Sequence, residues 1–174
     1  MKINKHIKNY FNGISDISEN IKKKDIEDLA KALSKIKKKK GRIFFLGVGG
    51  SAGNASHAVN DFRKLCEIEC YTPTDNVSEF SARINDDGWN SSFSEWLRVS
   101  NLNKKDAIFI FSVGGGNIKK KVSLNLVEAI KYAKKVESNI FGIVGRDGGY
   151  AKKSGDCVIL IPNLSSKLVT PFAE

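Results

Sequence analysis

Residues 41–64 read GRIFFLGVGGSAGNASHAVNDFRK. The run Arg42-Ile43-Phe44-Phe45-Leu46 is rich in β-branched and aromatic residues, which suit a buried strand. It meets a glycine cluster at Gly47, Gly49 and Gly50, where the chain can take a positive φ and a ligand can approach bare amides. From Ser51 to Leu65 the pattern is helical, with His57 and Asp61 four residues apart on one side. Strand, glycine turn and helix in that order form the repeating unit of a parallel α/β sheet.

The rest of the chain repeats the unit. IECYTPT (68–74) is a short strand ending at a proline, and DAIFIFS (106–112), NIFGIVG (139–145) and CVILIP (157–162) are apolar strands. Between them lie helical segments at 77–86 and 91–100, around an Asn-Asp-Asp-Gly loop (85–88), and at 123–136, where Asn125 and Glu128 have capping-box spacing. The first forty residues are helical, with Ile7, Tyr10 and Phe11 on one face and Ile26, Leu29, Leu33 and Ile36 on another. The expected fold is a three-layer αβα sandwich with a parallel sheet, flavodoxin- or Rossmann-like, preceded by N-terminal helices. The 174 residues make one domain, with helices over 1–40 and the α/β core over 41–174.

Composition narrows the function. Hydrophobic residues are 41% and charged residues 28%, a soluble globular mixture. No apolar run approaches the roughly 20 residues of a membrane-spanning helix, and the basic N-terminus lacks the apolar core of a signal peptide. A cytoplasmic protein with no membrane partner is expected. The net charge of +10 would attract nucleic acid or an anionic small molecule. It sits in lysine runs without interleaved aromatics, which argues against a nucleic-acid reader. Cys66, Cys70 and Cys157 are no disulfide framework. Cys66 and Cys70 can share a helix face, as metal or redox ligands or as small buried hydrophobes.

Ligands of such sheets bind at the carboxyl ends of the strands. Three strands end in glycine there, in GVGGS, SVGGGN and GRDGG. No lysine follows the first cluster as a Walker loop requires, and its spacing misses GxGxxG. A nucleotide cofactor is therefore not expected. Helix N-termini behind such turns suit phosphate. The His57–Asp61 pair is open to two readings, a hydrogen-bonded core histidine with Asp61 as its partner or the reactive part of a site.

GVGGSAGNASHAVND resembles the first strand–turn–helix of the sugar-isomerase (SIS) domain, and within it the phosphoheptose isomerases. The resemblance continues through IND at Ile84, SVGGGN at Ser112 and VGRDGG at Val144. It implies an aldose–ketose isomerase converting sedoheptulose 7-phosphate to a D-glycero-heptose 7-phosphate through an enediol, for surface-polysaccharide precursors such as lipopolysaccharide or capsule. By motif position it makes Asp61 the catalytic base and a substrate contact, with His57 and Asp61 as ligands of the zinc that some members carry. It places substrate contacts at Val48, Gly49, Gly50, Ser51, Asn85, Asp86, Ser112, Val113, Gly114, Asn117 and Glu174. Ser51 would also cap its helix. The amides of Gly114, Gly115 and Gly116 would make an anion nest in place of absent hydroxyls, with Lys119, Lys120 and Lys121 at the next helix's start.

The resemblance further implies a homotetramer with sites between subunits, the N-terminal helices packing on a partner chain. Three departures from the family stand out. Asp61 is a methylene shorter than the family's Glu, Val48 replaces an Asn, and the family's C-terminal helix with its second catalytic His is missing after LVTPFAE. The expectation is that this sequence is a piece of a longer chain that carries the tail. The alternative is a degenerate, non-catalytic module that binds a sugar phosphate or contacts another protein, as SIS proteins that contact a replication initiator do. The overall picture is of glycine corners gripping an anionic sugar while a carboxylate one helical turn further in meets its carbon chain.

Overall fold

The strand read from residues 43–46 is present as β1 (Ile43–Leu46) in a computed structural model that describes residues 2–162 and 169–173. Two helices precede it, α1 (Lys2–Asn20) and α2 (Lys23–Lys38). It is followed by α3 (Gly50–Lys64), β2 (Cys70–Tyr71), a 3₁₀ turn (Pro73–Asp75), α4 (Val77–Asp87) and α5 (Ser92–Val99). Then come β3 (Ala107–Ser112), α6 (Leu124–Lys135), β4 (Asn139–Val144), α7 (Gly149–Ser154), β5 (Cys157–Leu160) and α8 (Val169–Ala173).

The five strands form one sheet in the order β2-β1-β3-β4-β5, every neighbouring pair parallel. Successive side chains of a strand point to opposite faces, and the core divides accordingly. Phe44, Leu46, Ile108, Ile110, Ile140 and Val144 face α5 and α6, around Phe93, Leu97, Leu126 and Ile130. Ile43, Phe45, Phe109, Phe141 and Ile159 face α2 and α3, around Leu29, Ile36, Ala55 and Val59. This is the expected αβα sandwich. Because both faces are covered, the strands are apolar throughout rather than alternating.

Local details depart from expectation for identifiable reasons. β2 is only Cys70–Tyr71, because Pro73, which has no N–H for a ladder, starts the 3₁₀ turn instead. Residues 85–87 are the last turn of α4 rather than a loop. That helix starts with Asn76 Oδ1 accepting from the Glu79 amide at 3.2 Å, and Arg83 pairs with Glu79 one turn on. α6 has no capping box. Asn125 is its second residue, fully buried, with Oδ1 accepting from the Leu126 amide at 2.9 Å. The N-terminal helices differ from each other. α2 finds a place on the sheet through Leu29 and Ile36, whereas α1 leaves Ile3, Ile7, Phe11 and Ile14 exposed. α1 meets α8 where Phe172 lies against Gly13 and Tyr10, ring centroids 5.3 Å apart. Among the described residues, no helix is long and apolar enough to cross a membrane.

The cysteines differ in the same way. Cys66 is exposed at the end of α3, while Cys70 is buried and its Sγ donates to the Val59 carbonyl at 3.4 Å. Burial pushes the Cys70 thiol up to about 11, partly offset by nearby Arg63. A thiol held neutral in the fold but free to ionise when unfolded favours folding fully below pH ~9, and that contribution is lost as pH rises through about 11. At pH 8 a disulfide reagent should therefore label Cys66 within seconds and Cys70 only on unfolding, and the urea midpoint should fall between pH 9 and 11. Rapid labelling of both thiols would contradict the burial of Cys70.

Candidate active site

Strand order reverses between β1 and β3. α3 leaves β1 over one face toward β2, and α6 leaves β3 over the other toward β4. That reversal opens a crevice at the carboxyl edge, where sheets of this kind bind ligands. Two glycine segments flank it.

The first is Gly47–Gly50. A side chain at Gly47 would strike the Ser51 carbonyl at 2.1 Å, so glycine is needed for the chain to turn into α3. Gly49 occupies the N-cap position of α3 at φ +65°, with no side-chain cap and no atom within 4 Å of where its Cβ would be. Gly49 and Gly50 are exposed. The leading amides of α3 thus open onto the crevice with the helix's partial positive charge behind them, an arrangement suited to an anion. Ser51 does not cap the helix, since it lies inside the first turn and is buried. Val48 is half-buried and packs on the core face shared with α5 and α6, so its contribution to the crevice is backbone.

The second segment is Ser112–Asn117. Ser112 is buried, and its Oγ accepts from the Gly115 amide at 3.0 Å and weakly from the Gly114 amide at 3.4 Å. This corrects the open amide nest expected at Gly114–Gly116, because the serine hydroxyl already folds over part of it. The Gly115 and Gly116 carbonyls accept from the Ala151 and Tyr150 amides, which locks the loop onto α7. Contact is so close that a Cβ at Gly115 would lie 2.0 Å from the Gly148 carbonyl. Val113 is half-buried beside this loop. The Asn117 backbone pairs with Val122, and its Oδ1 accepts from the Lys120 amide at 2.9 Å. Lys119, Lys120 and Lys121 are therefore exposed on the tip of a tight hairpin, and α6 begins beyond them at Leu124.

His57 and Asp61 do pair, with Nε2 and Oδ2 3.1 Å apart, and Asn60 Nδ2 donates to the other carboxylate oxygen at 3.0 Å. Their side chains are 77% and 42% exposed on the outer side of α3, so the reading as a core pair fails. Asp61 follows Gly50 by eleven residues, three turns and roughly 16 Å along the axis. The expected separation of one turn is corrected: within one chain the carboxylate does not adjoin the glycine corner. Asn85 and Asp86 are exposed on α4 and bonded to each other at 2.8 Å. Glu174 lies outside the described residues. For zinc, His57 and Asp61 supply two donors, and among the described residues no group of three His, Cys, Asp or Glu side chains gathers. Two ligands fall short of the three or four that zinc takes from protein, so the described residues do not build that site.

Three side chains escaped the sequence reading. Ser56 Oγ donates to Asp75 Oδ1 at 2.6 Å, tying α3 to the 3₁₀ turn. Tyr150 and Lys153 of α7 face the hairpin. Their only signal was the VGRDGGY turn, read for its glycines alone.

A family model described as "SIS domain" matches residues 9–145. The chain belongs to the SIS domain family. Among curated relatives, this SIS domain is 32% identical over 144 residues to the lincomycin biosynthesis protein LmbN of Streptomyces lincolnensis, covering 77% of this chain and 50% of that one. It is 28% identical over 128 residues to a phosphoheptose isomerase of Helicobacter pylori, covering 71% and 63%. It thus spans half to under two thirds of the length of these two relatives. The solved phosphoheptose isomerase GmhA from Neisseria gonorrhoeae superposes with a TM-score of 0.81 over 98% of this chain and 91% of that one, at 21% identity. At that identity the likeness speaks for the fold, which it matches closely.

Proposed function

We propose that this SIS domain isomerises a sugar phosphate, converting sedoheptulose 7-phosphate to a D-glycero-heptose 7-phosphate. The observation that carries the reading is the uncapped glycine corner at the switch point, open above Gly49 and backed by α3. The relatives named phosphoheptose isomerase support the substrate class. The phosphate sits against the amides of Gly49 and Gly50, beside the Ser112 loop. A carboxylate then takes a proton from C1 of the ketose while the C2 carbonyl oxygen gains one, which forms the enediol; the carboxylic acid returns its proton to C2 as the C1 hydroxyl gives up its own, which leaves the C1 aldehyde with no net gain or loss of protons. Asp61 is the base, steadied through one oxygen by Asn60 and through the other by His57. The reaction belongs in the cytoplasm, in the making of surface-polysaccharide precursors.

The roughly 16 Å between Gly50 and Asp61 along α3 exceeds the reach of an extended heptose phosphate. Asp61 of one copy therefore serves a sugar held at the corner of another, in a homo-oligomer, with a tetramer as the expected size. The exposed stripe of α1, Ile3, Ile7, Phe11 and Ile14, is the surface for that assembly. Light scattering at micromolar concentration should give a multiple of the 19.2 kDa chain mass, and Phe11→Asp should lower it. A native monomer would remove the basis for a shared site.

The closure of Ser112 onto Gly115 and the packing of half-buried Val48 against the core favour a second reading, binding without turnover. Incubation with sedoheptulose 7-phosphate in D₂O separates the two. Aldose formation with deuterium at C2 supports the isomerase, whereas saturable binding without exchange supports the binding module.

A further inference from the structure

Beyond the crevice, the carboxyl edge holds a pocket of about 250 Å³ between the Asn117–Val122 hairpin and α7. Lys119 reaches it from the hairpin, and Tyr150 and Lys153 from α7, with Gly116 and Gly149 as backbone wall. Among the described residues neither Lys119 nor Lys153 forms an ion pair, and the Tyr150 hydroxyl makes no hydrogen bond. The only other charge in the lining is Asp147, whose Oδ1 is engaged by the Gly149 amide at 3.2 Å. Two free ammonium groups and a free phenol outweigh that one occupied carboxylate. Like charges brought to one concavity repel unless something neutralises them.

The Gly114–Gly116 loop links the two places, since it follows Ser112 at the crevice and its Gly116 walls the pocket. The loop is held against α7 by its two carbonyl bonds, which ties the pocket wall to the segment that follows Ser112. We infer that the Lys119–Tyr150–Lys153 pocket is a second oxyanion subsite, and that besides monophosphates such as sedoheptulose 7-phosphate this chain binds, and binds more tightly, a ligand that carries a second phosphate or carboxylate. This rests on the reading of the crevice as a sugar-phosphate site. Lys119 and Lys153 donate to the second group as point charges, and Tyr150 adds a directed O–H donor. The hairpin thereby acts as a specificity element, selecting for two anionic groups on one ligand.

Amide spectra of the ¹⁵N-labelled chain, titrated with inorganic phosphate, test the subsite, with Gly49 and Gly50 reporting on the crevice and Tyr150 and Lys153 on the pocket. The expected result is saturable shifts at both places. In Lys119→Gln/Lys153→Gln the pocket shifts should weaken tenfold or more while the crevice shifts stay, and Lys153→Arg should retain binding. Fructose 1,6-bisphosphate should bind the native chain at least tenfold more tightly than fructose 6-phosphate, and the double variant should lose that preference. Pocket amides that do not move, or that titrate alike in native and double-variant chains, would overturn the subsite. So would equal affinity of the native chain for the two sugars. Failure of the Gly49 and Gly50 shifts alone would overturn the crevice reading instead.

Discussion

Asp61→Asn should reduce turnover of sedoheptulose 7-phosphate by about 10²- to 10⁴-fold, the range for losing a positioned general base. Asn keeps the shape of the side chain and can still accept from Asn60 Nδ2, so what disappears is the basic oxygen. The variant should fold as the native chain does, because the side chain is 42% exposed and exposed substitutions away from special features usually shift stability by less than ~0.5 kcal/mol. Binding of the substrate should persist, since the glycine corner and the Ser112 loop are untouched. Asp61→Glu keeps a carboxylate but moves it outward by one methylene. It should leave measurable activity, lowered by up to about a hundredfold if the site is fitted to the shorter chain. Initial rates beside a thermal melt decide the matter. A fully active Asp61→Asn chain with an unchanged melt would remove Asp61 as the base.

The largest effect on stability is expected at the opposite edge of the sheet. Asp106 is 2% exposed at the start of β3. Its Oδ1 accepts from the Arg42 amide at 2.9 Å and Arg42 Nε at 3.3 Å. Its Oδ2 accepts from Arg42 Nη2 at 2.7 Å, from Asn103 Nδ2 at 2.9 Å and from the Asn103 amide at 3.2 Å. Its carbonyl accepts from the Asn139 amide and Nδ2 and from Ser138 Oγ. One residue thus joins the amino ends of β1, β3 and β4. Arg42 is further held by the Ser100 and Asn101 carbonyls and lies over the Phe44 ring.

Asp106→Ala would strand a mostly covered guanidinium and unpair several donors. Breaking one side of a buried pair costs about 3–5 kcal/mol, a large part of the roughly 5–15 kcal/mol that holds a domain together. Urea unfolding should show a lower midpoint at unchanged slope. Asp106→Asn, which keeps the shape and loses the charge, should fall between. A loss below about 1 kcal/mol in the alanine variant would mean that the network contributes little. Ligand binding by the remaining folded protein should be unaffected, because Asp106 and the crevice lie at opposite ends of β3.

The sheet was legible because burial on both faces writes itself as unbroken apolar runs, and IFFL, AIFIFS, NIFGIV and CVIL each became strands. The glycine corner was legible too, since GVGG between a strand and a helix admits few conformations. What escaped depends on contacts between distant parts of the chain. The Ser112 hydroxyl turns inward to Gly115, and Asn117 closes a hairpin, where local reading had both facing a ligand. Asn125 looked like part of a cap and is a buried residue one position inside α6. The spacing of His57 and Asp61 correctly put them on one helix face, but which face meets solvent and how far along the axis they sit are tertiary facts. The three turns from Gly50 to Asp61 could be counted from the sequence. The axial separation of roughly 16 Å, on which the proposed sharing of the site between copies rests, follows from the same count once α3 is known to run unbroken from Gly50 to Lys64.

A crystal structure of the protein with sedoheptulose 7-phosphate addresses the central claim most directly. The account expects the phosphate against the amides of Gly49 and Gly50, between that corner and Ser112, with the carboxylate of Asp61 from a second copy within hydrogen-bonding distance of the sugar's first two carbons or their oxygens. A sugar phosphate seated away from the switch-point crevice, or one held there while every copy's Asp61 stays in solvent, would contradict it.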